Sequence, residues 1–195
     1  VSGARRPLVL ASSSPRRLAL LRQIAVEPDH VLAPEIDENP LPRELPRAYA
    51  GRVAEAKARA IAGQVDGAFV LAADTVVALG RRILPKCTNE PEARRCLDLM
   101  SGRRHRVLGG ACVLAPDGRA SRRVVETMVR MKRLTPEEIT LYLASGEWRG
   151  KAGGYAIQGL AAAFIPAING SYTNVVGLPV VEIMAMLQGL GWQRP

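Results

Sequence analysis

The stretch Phe69-Val70-Leu71-Ala72-Ala73-Asp74-Thr75-Val76-Val77-Ala78-Leu79 constrains this chain more than any other. It reads as a buried strand, and a single acid interrupts it near its middle. A lone buried carboxylate is costly. Asp74 is therefore expected to be paired, protonated, bound to metal or placed at a strand end beside a cleft. A structural ion pair satisfies that requirement as well as a ligand site does. In α/β sheets, ligands gather at strand ends.

A second stretch, Pro7 to Arg17, runs from the apolar Leu8-Val9-Leu10 through Ser12-Ser13-Ser14 into a helix opened by Pro15. Ser14 is expected to cap that helix with its hydroxyl, and proline suits the first helical position. Hydroxyls, backbone donors at a helix start and the guanidinium groups of Arg16 and Arg17 all favour phosphate oxygens. A capped helix with two solvated arginines is the plainer reading of the same residues. A further helix is expected over about Arg47 to Gly63, with Ala50, Val53, Lys57, Ala60 and Ile61 on one face. Lys57 thus lies on the apolar face. It either snorkels to water or aims its ammonium into a polar cleft.

The remaining segments give a coarser outline. His30 to Pro46, with Pro40, Pro42 and acids that include Glu38, reads as a loop, either simply solvated or bringing a carboxylate to a metal. Gly80 to Arg82 is expected to turn, and Ile83 to Cys87 leads to a helix near Pro91 to Met100. Ser101 to Arg106 is a basic turn. Val107–Leu114 and Arg122–Met131 read as strands joined through Pro116-Asp117-Gly118. Thr135-Pro136-Glu137-Glu138 carries a capping-box pattern. The glycines of Gly153 to Gly159 imply close backbone approach around Gln158. Asn169-Gly170 signals a hairpin with Ser171 to Val176 as its returning strand, before a last helix from Val180.

Composition narrows the function. A chain of 195 residues fits one domain, with room for two lobes. It has no apolar run of membrane-spanning length and no signal-peptide pattern, so a cytoplasmic protein is expected. Cys87, Cys96 and Cys112 show no paired spacing, which suits free thiols. Six residues separate Cys96 from Arg103, one too many for a thiol-phosphatase loop, and His30 and His105 stand too far apart to suggest zinc. The net charge of +9 favours a polyanionic partner, but only 4% of residues are aromatic, which weakens the case for nucleic acid. Lys57, Lys86, Lys132 and Lys151 are the chain's only lysines beside 23 arginines, and three of the four fall in or beside the stretches singled out. There is no Walker loop, dinucleotide fingerprint or serine nucleophile elbow.

Four stretches occur in order: LASSSPRR, EAKA, AADTVV followed by ILPK, and KAGGYAIQG continuing to INGSYTNVVGLP. Together they closely resemble the Maf family of nucleoside triphosphate pyrophosphatases, from Leu8 to about Leu187. The resemblance implies a single α/β domain over residues 1–195 with an elongated mixed β-sheet flanked by helices. Two lobes would surround a cleft, as in inosine triphosphate pyrophosphatases. It also implies Mg²⁺- or Mn²⁺-dependent hydrolysis of a nucleoside triphosphate to the monophosphate and pyrophosphate, in a homodimer. Arg16, Thr75 and Gln158 match the specificity positions of the dTTP/UTP branch, whereas the 7-methyl-GTP branch carries Trp, Gln and Glu there. The match makes Asp74 the proton acceptor or metal-bound orienter of water and Glu38 the other metal-binding acid. Ser12, Arg17, Lys57 and Lys86 become triphosphate contacts, both lysines serving catalysis. Pro85, Cys87 and Asn89 depart from the family's usual residues around Lys86. The competing expectation is a nucleic-acid- or partner-binding regulator of septum formation without catalysis.

Overall fold

The computed structural model describes residues 6–194. A seven-stranded mixed sheet runs through it. The strands are β1 (Leu8–Ala11), β2 (His30–Leu32), β3 (Phe69–Leu79), β4 (Arg82–Leu84), β5 (Arg104–Leu114), β6 (Ala120–Arg130) and β7 (Ala167–Asn169). Their order is β2-β1-β3-β5-β6-β7, with β4 also paired to β3. β1 lies parallel to β2 and β3, and the other pairings are antiparallel. The helices are α1 (Pro15–Gln23), α2 (Pro46–Ala62), α3 (Glu90–Met100), α4 (Pro136–Ala144), α5 (Tyr172–Val176) and α6 (Val180–Gly189).

Side-chain alternation divides the sheet's two faces. Leu8, Leu10, Leu71, Ala73 and Val77 join the larger core, which also takes Leu21 of α1, Leu97 of α3, Tyr142 of α4 and Ile183 of α6. Val9, Ala11, Val70 and Ala72 face the other way and pack on Ala54, Ala58 and Ile61 of α2. Farther along the same helix, Tyr49, Ala50 and Val53 pack on Val76, Ala78 and Leu108. Asp74 falls between Ala72 and Val76 on that alternation, so it faces α2. Thr75 faces away from it.

Two adjacent glycines in β5 make this sandwich tight. Gly110 stands opposite Asp74, and Gly109 opposite Thr75. A Cβ on Gly110 would fall 1.9 Å from the Ala50 carbonyl oxygen of α2, and one on Gly109 would fall 1.9 Å from Asn174 Oδ1 of α5. Each face of the sheet is approached at the point where a side chain is missing.

Several local expectations are corrected. Part of the 30–46 segment is not loop, because His30–Leu32 pairs with β1. The basic turn gives way to strand at Arg104. Ser14 occupies the N-cap of α1 but makes no side-chain capping bond. Instead, Ser12 Oγ accepts from the Ser14 amide at 3.1 Å. The segment after Asn169-Gly170 is not a returning strand. Tyr172–Val176 is a helix, capped by Ser171 and closed at Gly177 with φ 148°. The Asn174 amide nitrogen donates to Val107 O, Val125 O and Thr127 Oγ1, which anchors that short helix over β5 and β6. The two N–H groups of that amide, shared among three acceptors, outweigh the strand propensity of a Val-Val pair. The capping box at Thr135 and Glu138 forms in full.

Candidate active site

β1 ends opposite Ala72, and β4 begins to pair with β3 only at Val77. Both strands use the same edge of β3, because β5 occupies the other along Val70–Ala78. Asp74 and Thr75 therefore lie in a notch in the sheet. The expected strand end exists, but it belongs to β1 and not to the strand that carries the acid.

On the α2 face of the notch, two carboxylates and two ammonium groups form a closed array. Lys57 Nζ lies 2.8 Å from Asp74 Oδ1 and 2.9 Å from Glu38 Oε1. Lys86 Nζ bonds Glu38 Oε2 and stands 3.5 Å from Asp74 Oδ1. Asp74 Oδ2 is buried with no hydrogen-bond partner. The two halves of the array differ in exposure. Asp74 and Lys57 side chains are 1% and 5% exposed, against 34% and 44% for Glu38 and Lys86. Burial pushes the Glu38 carboxyl up, but hydrogen bonds and charge from Lys86 and Lys57 outweigh it and hold the group below the ordinary glutamate value. The Tyr49 hydroxyl donates to the Glu38 carbonyl at 2.7 Å and fixes the loop over α2. Burial and the nearby acids raise that phenol to about 12, so it stays protonated as a donor.

On the opposite face, Arg17 turns inward from α1 and is 9% exposed. Its Nε donates to Gly177 O at 2.9 Å, Nη1 to Ser12 Oγ at 3.1 Å and Nη2 to Thr75 Oγ1 at 3.2 Å. The planar fork ties together β1, β3 and the end of α5, a task that an ammonium lacks the geometry to perform. Burial lowers the guanidinium's affinity for its proton, partly offset by Asp74 and Glu38, and the group stays charged. Ser12 and Thr75 both accept from Arg17, which leaves their hydroxyl protons to donate elsewhere.

These residues surround a cavity of about 350 Å³. Arg16, Arg17, Lys57, Lys86, Arg149 and Lys151 line it, with Glu38 the only acid in its wall among the described residues. Asp74 lies just beneath, under the two lysines. Such a cleft attracts a strongly anionic ligand. The sequence-derived set is largely brought together: Ser12, Arg16, Arg17, Glu38, Lys57, Thr75 and Lys86 all line the cavity. Gln158 does not; it is exposed in a turn outside that lining. Arg149, Lys151 and Tyr155 were missed as site residues. The scarcity of lysine gave a signal for Lys151, but nothing in the sequence marked Arg149, whose guanidinium lies 4.7 Å from the Trp148 ring centroid. No group of three or more His, Cys, Asp or Glu side chains able to hold a metal occurs among the described residues. Among the same residues, no helix is long and apolar enough to cross a membrane.

A mixed α/β sheet with an acid-and-lysine array at the foot of a cationic cleft defines a phosphate-handling protein of the nucleotide-binding kind. More specifically, the chain belongs to the Maf family: the model for "Maf-like protein" matches residues 7–190. The dTTP/UTP pyrophosphatase of Paramagnetospirillum magneticum is 62% identical over 185 residues, covering 95% of this chain and 97% of that protein. The dTTP/UTP pyrophosphatase of Caulobacter vibrioides is 58% identical over 186 residues, with 95% and 96% covered. Among solved structures, a nucleoside-triphosphatase described as a dITP/XTP pyrophosphatase from Mycobacterium abscessus matches with 18% identity and a TM-score of 0.40. That match covers 71% of this chain and 94% of the other, and at that score it carries no inference about chemistry.

Proposed function

We propose that this protein hydrolyses dTTP and UTP to the nucleoside monophosphate and pyrophosphate. The observation that carries the reading is the Glu38–Lys57–Asp74–Lys86 array at the foot of the cationic cavity, in a chain whose relatives bear that activity in their names over nearly their full length. Phosphoryl chemistry asks the protein chiefly to position the chain of phosphates and to neutralise charge on their oxygens. Ser12, Arg17, Lys57 and Lys86 supply donors and cations for that purpose. Asp74 takes the proton of the attacking water or orients it. The Lys57 ammonium at 2.8 Å holds its carboxylate in place for that role.

The donor set also fits a hard divalent cation. Asp74 Oδ2 is an orphaned buried carboxylate oxygen, and Glu38 is a second carboxylate beside it. Mg²⁺ is commonly held by one or two carboxylates completed by substrate phosphates and water. When bound, Mg²⁺ or Mn²⁺ would neutralise phosphate charge and lower the pKa of the attacking water. Because Lys57 and Lys86 already bond these acids, ligand binding requires exchange of partners. The half-exposed Lys86 is the freer of the two to turn toward phosphate.

Base selection falls to Arg16 and Thr75 in the cavity wall and to Gln158, whose turn must reach the ligand to take part. The family resemblance extends the reading to a cytoplasmic homodimer. Pyrophosphate release from a panel of nucleoside triphosphates, with Mg²⁺ and Mn²⁺ and with Asp74→Asn alongside, tests it. Release from dTTP and UTP that is lost in the variant is expected. Preference for 7-methyl-GTP would overturn the assignment of Arg16, Thr75 and Gln158, and equal turnover by Asp74→Asn would overturn the mechanism.

A further inference from the structure

Cys87 and Cys96 face each other inside the larger core. Their sulfurs lie 3.7 Å apart, and the residues are 0% and 2% exposed. Cys96 is fixed in the second turn of α3. Cys87 directly follows Lys86 in the short connection between β4 and α3. Its surroundings leave no slack: a Cβ on Gly154 would fall 3.1 Å from the Cys87 sulfur. The same residue is bonded to the cleft wall, with its amide donating to Lys151 O at 3.1 Å and its carbonyl accepting from the Gly150 amide at 2.9 Å.

We propose that Cys87 and Cys96 form an oxidisable dithiol, a modification site whose disulfide draws Lys86 away from Glu38 and Asp74 and lowers turnover. A sulfur–sulfur bond measures about 2.0 Å, so closure shortens the present separation by roughly 1.7 Å. α3 is a regular helix capped by the Asn89 side chain, whereas residues 85–88 are held only by an isolated antiparallel bridge between Lys86 and Ala152 and its neighbouring backbone bonds. The displacement therefore falls on the segment that carries Lys86 and, through the two backbone bonds, on Lys151. The loss of turnover rests on the function proposed above. The disulfide itself does not.

The oxidant required is a peroxide, small enough to enter a packed core. A Cys96 sulfur electron pair attacks one peroxide oxygen, the O–O bond breaks, and Cys96 becomes a sulfenic acid as one water leaves. The Cys87 sulfur then attacks the Cys96 sulfur. The S–S bond forms, the S–O bond breaks, and a second water departs with the Cys87 proton. Two thiols lose two electrons and two protons, and the peroxide gains them. Cys96 is suited to the first step, since the hydrogen bond from the Cys87 thiol holds its own below the ordinary cysteine value despite burial. That bond and burial push the Cys87 thiol up. Cys112 lies on the α2 face, and burial raises it to about 11, so it serves as an internal control.

The test treats the full chain, without substrate, with hydrogen peroxide, alkylates the remaining thiols and maps tryptic peptides without reduction. Cleavage after Lys86, Arg94, Arg95 and Arg103 places the two cysteines on separate peptides. The expected result is a linked pair 2 Da lighter than its reduced sum, with Cys112 alkylated. Pyrophosphate release should fall at least tenfold and return with a thiol reductant. Cys96→Ala should keep basal release and lose the reversible inhibition, while Cys112→Ala should keep both. If Cys87 and Cys96 both remain alkylatable after peroxide, the dithiol is refuted. A disulfide with unchanged release refutes the coupling to Lys86, and so does equal reversible inhibition of Cys96→Ala. Absent release before treatment refutes the pyrophosphatase reading and the coupling with it, while the peptide masses still decide the dithiol.

Discussion

Lys57 Nζ and Asp74 Oδ1 lie 2.8 Å apart with almost no access to solvent, one on α2 and one in the middle of β3. Each offsets part of the cost of burying the other. Breaking the pair from the lysine side leaves the buried carboxylate only the half-exposed Lys86 at 3.5 Å, and losing one partner of a buried pair typically costs about 3–5 kcal/mol. Lys57→Met should lose stability on that scale by urea unfolding, and Lys57→Met/Asp74→Asn should regain part of it. Asp74→Asn alone should remain folded and lose turnover by roughly 100-fold or more, the scale of a missing general base. A double variant no more stable than Lys57→Met would show that the pair is not what Lys57 supports.

Arg17 should resist replacement even by lysine. One ammonium cannot reach Gly177 O, Ser12 Oγ and Thr75 Oγ1 with the geometry of the present three bonds. Arg17→Lys should raise KM for the triphosphate about tenfold or more and lower stability by about 1–3 kcal/mol, the cost of buried acceptors left unpaired. Unchanged steady-state kinetics would show that the fork has no part in ligand binding.

The two glycines of β5 set the thickness of the molecule at the site. Gly110→Ala drives a methyl group into the Ala50 carbonyl, and Gly109→Ala drives one into Asn174 Oδ1. Each should cost about 3 kcal/mol or more, since main chain or an anchored amide must move. Gly110→Ala should also reduce turnover, because α2 carries Lys57. Thermal melts within one degree of the parent for both variants would mean that the sheet can spread without penalty.

His105 gives a stability that depends on pH. It is 1% exposed, with Nε2 sharing a 2.7 Å hydrogen bond with the Tyr155 hydroxyl and Nδ1 unpartnered. Burial lowers it from 6.5 to about 4. Between those values the unfolded chain binds a proton that the folded chain refuses. Stability is therefore undiminished above about 6.5 and falls as pH drops toward 4, by about 3 kcal/mol in all. Urea midpoints at pH 7 and 4.5 should show this fall, and His105→Leu/Tyr155→Phe should flatten it. An imidazole titrating near 6.5 by NMR would contradict the account.

Much of the site was legible because its chemistry is expensive in the wrong place. An acid within Phe69–Leu79 and a lysine on the apolar face of a helix both need a reason, and each proved to be the other's. Serines and arginines after a buried strand pointed at phosphate for equally local reasons. The gaps arise where long-range contacts decide. His30–Leu32 looks like loop until β1 offers it an edge. Asn169-Gly170 is a sound turn signal, but the following residues take helix because Asn174 finds three acceptors on β5 and β6. Arg149 enters the cavity wall because its segment pairs with the backbone around Cys87, which no spacing reveals.

The notch between the end of β1 and the start of β4 also divides the site by stiffness. Asp74 and Lys57 move only if a central strand or its covering helix moves, whereas Glu38 and Lys86 arrive on connections that leave a third or more of their side chains exposed to water. The Asp74–Lys57 pair thus keeps its geometry through thermal motion, while Glu38 and Lys86 remain free to change what they hold. A lineage can revise the second half without disturbing the first. Pro85 and Cys87 fall in that second half, so substitution there reaches Lys86 without touching the pair that is anchored in the sheet.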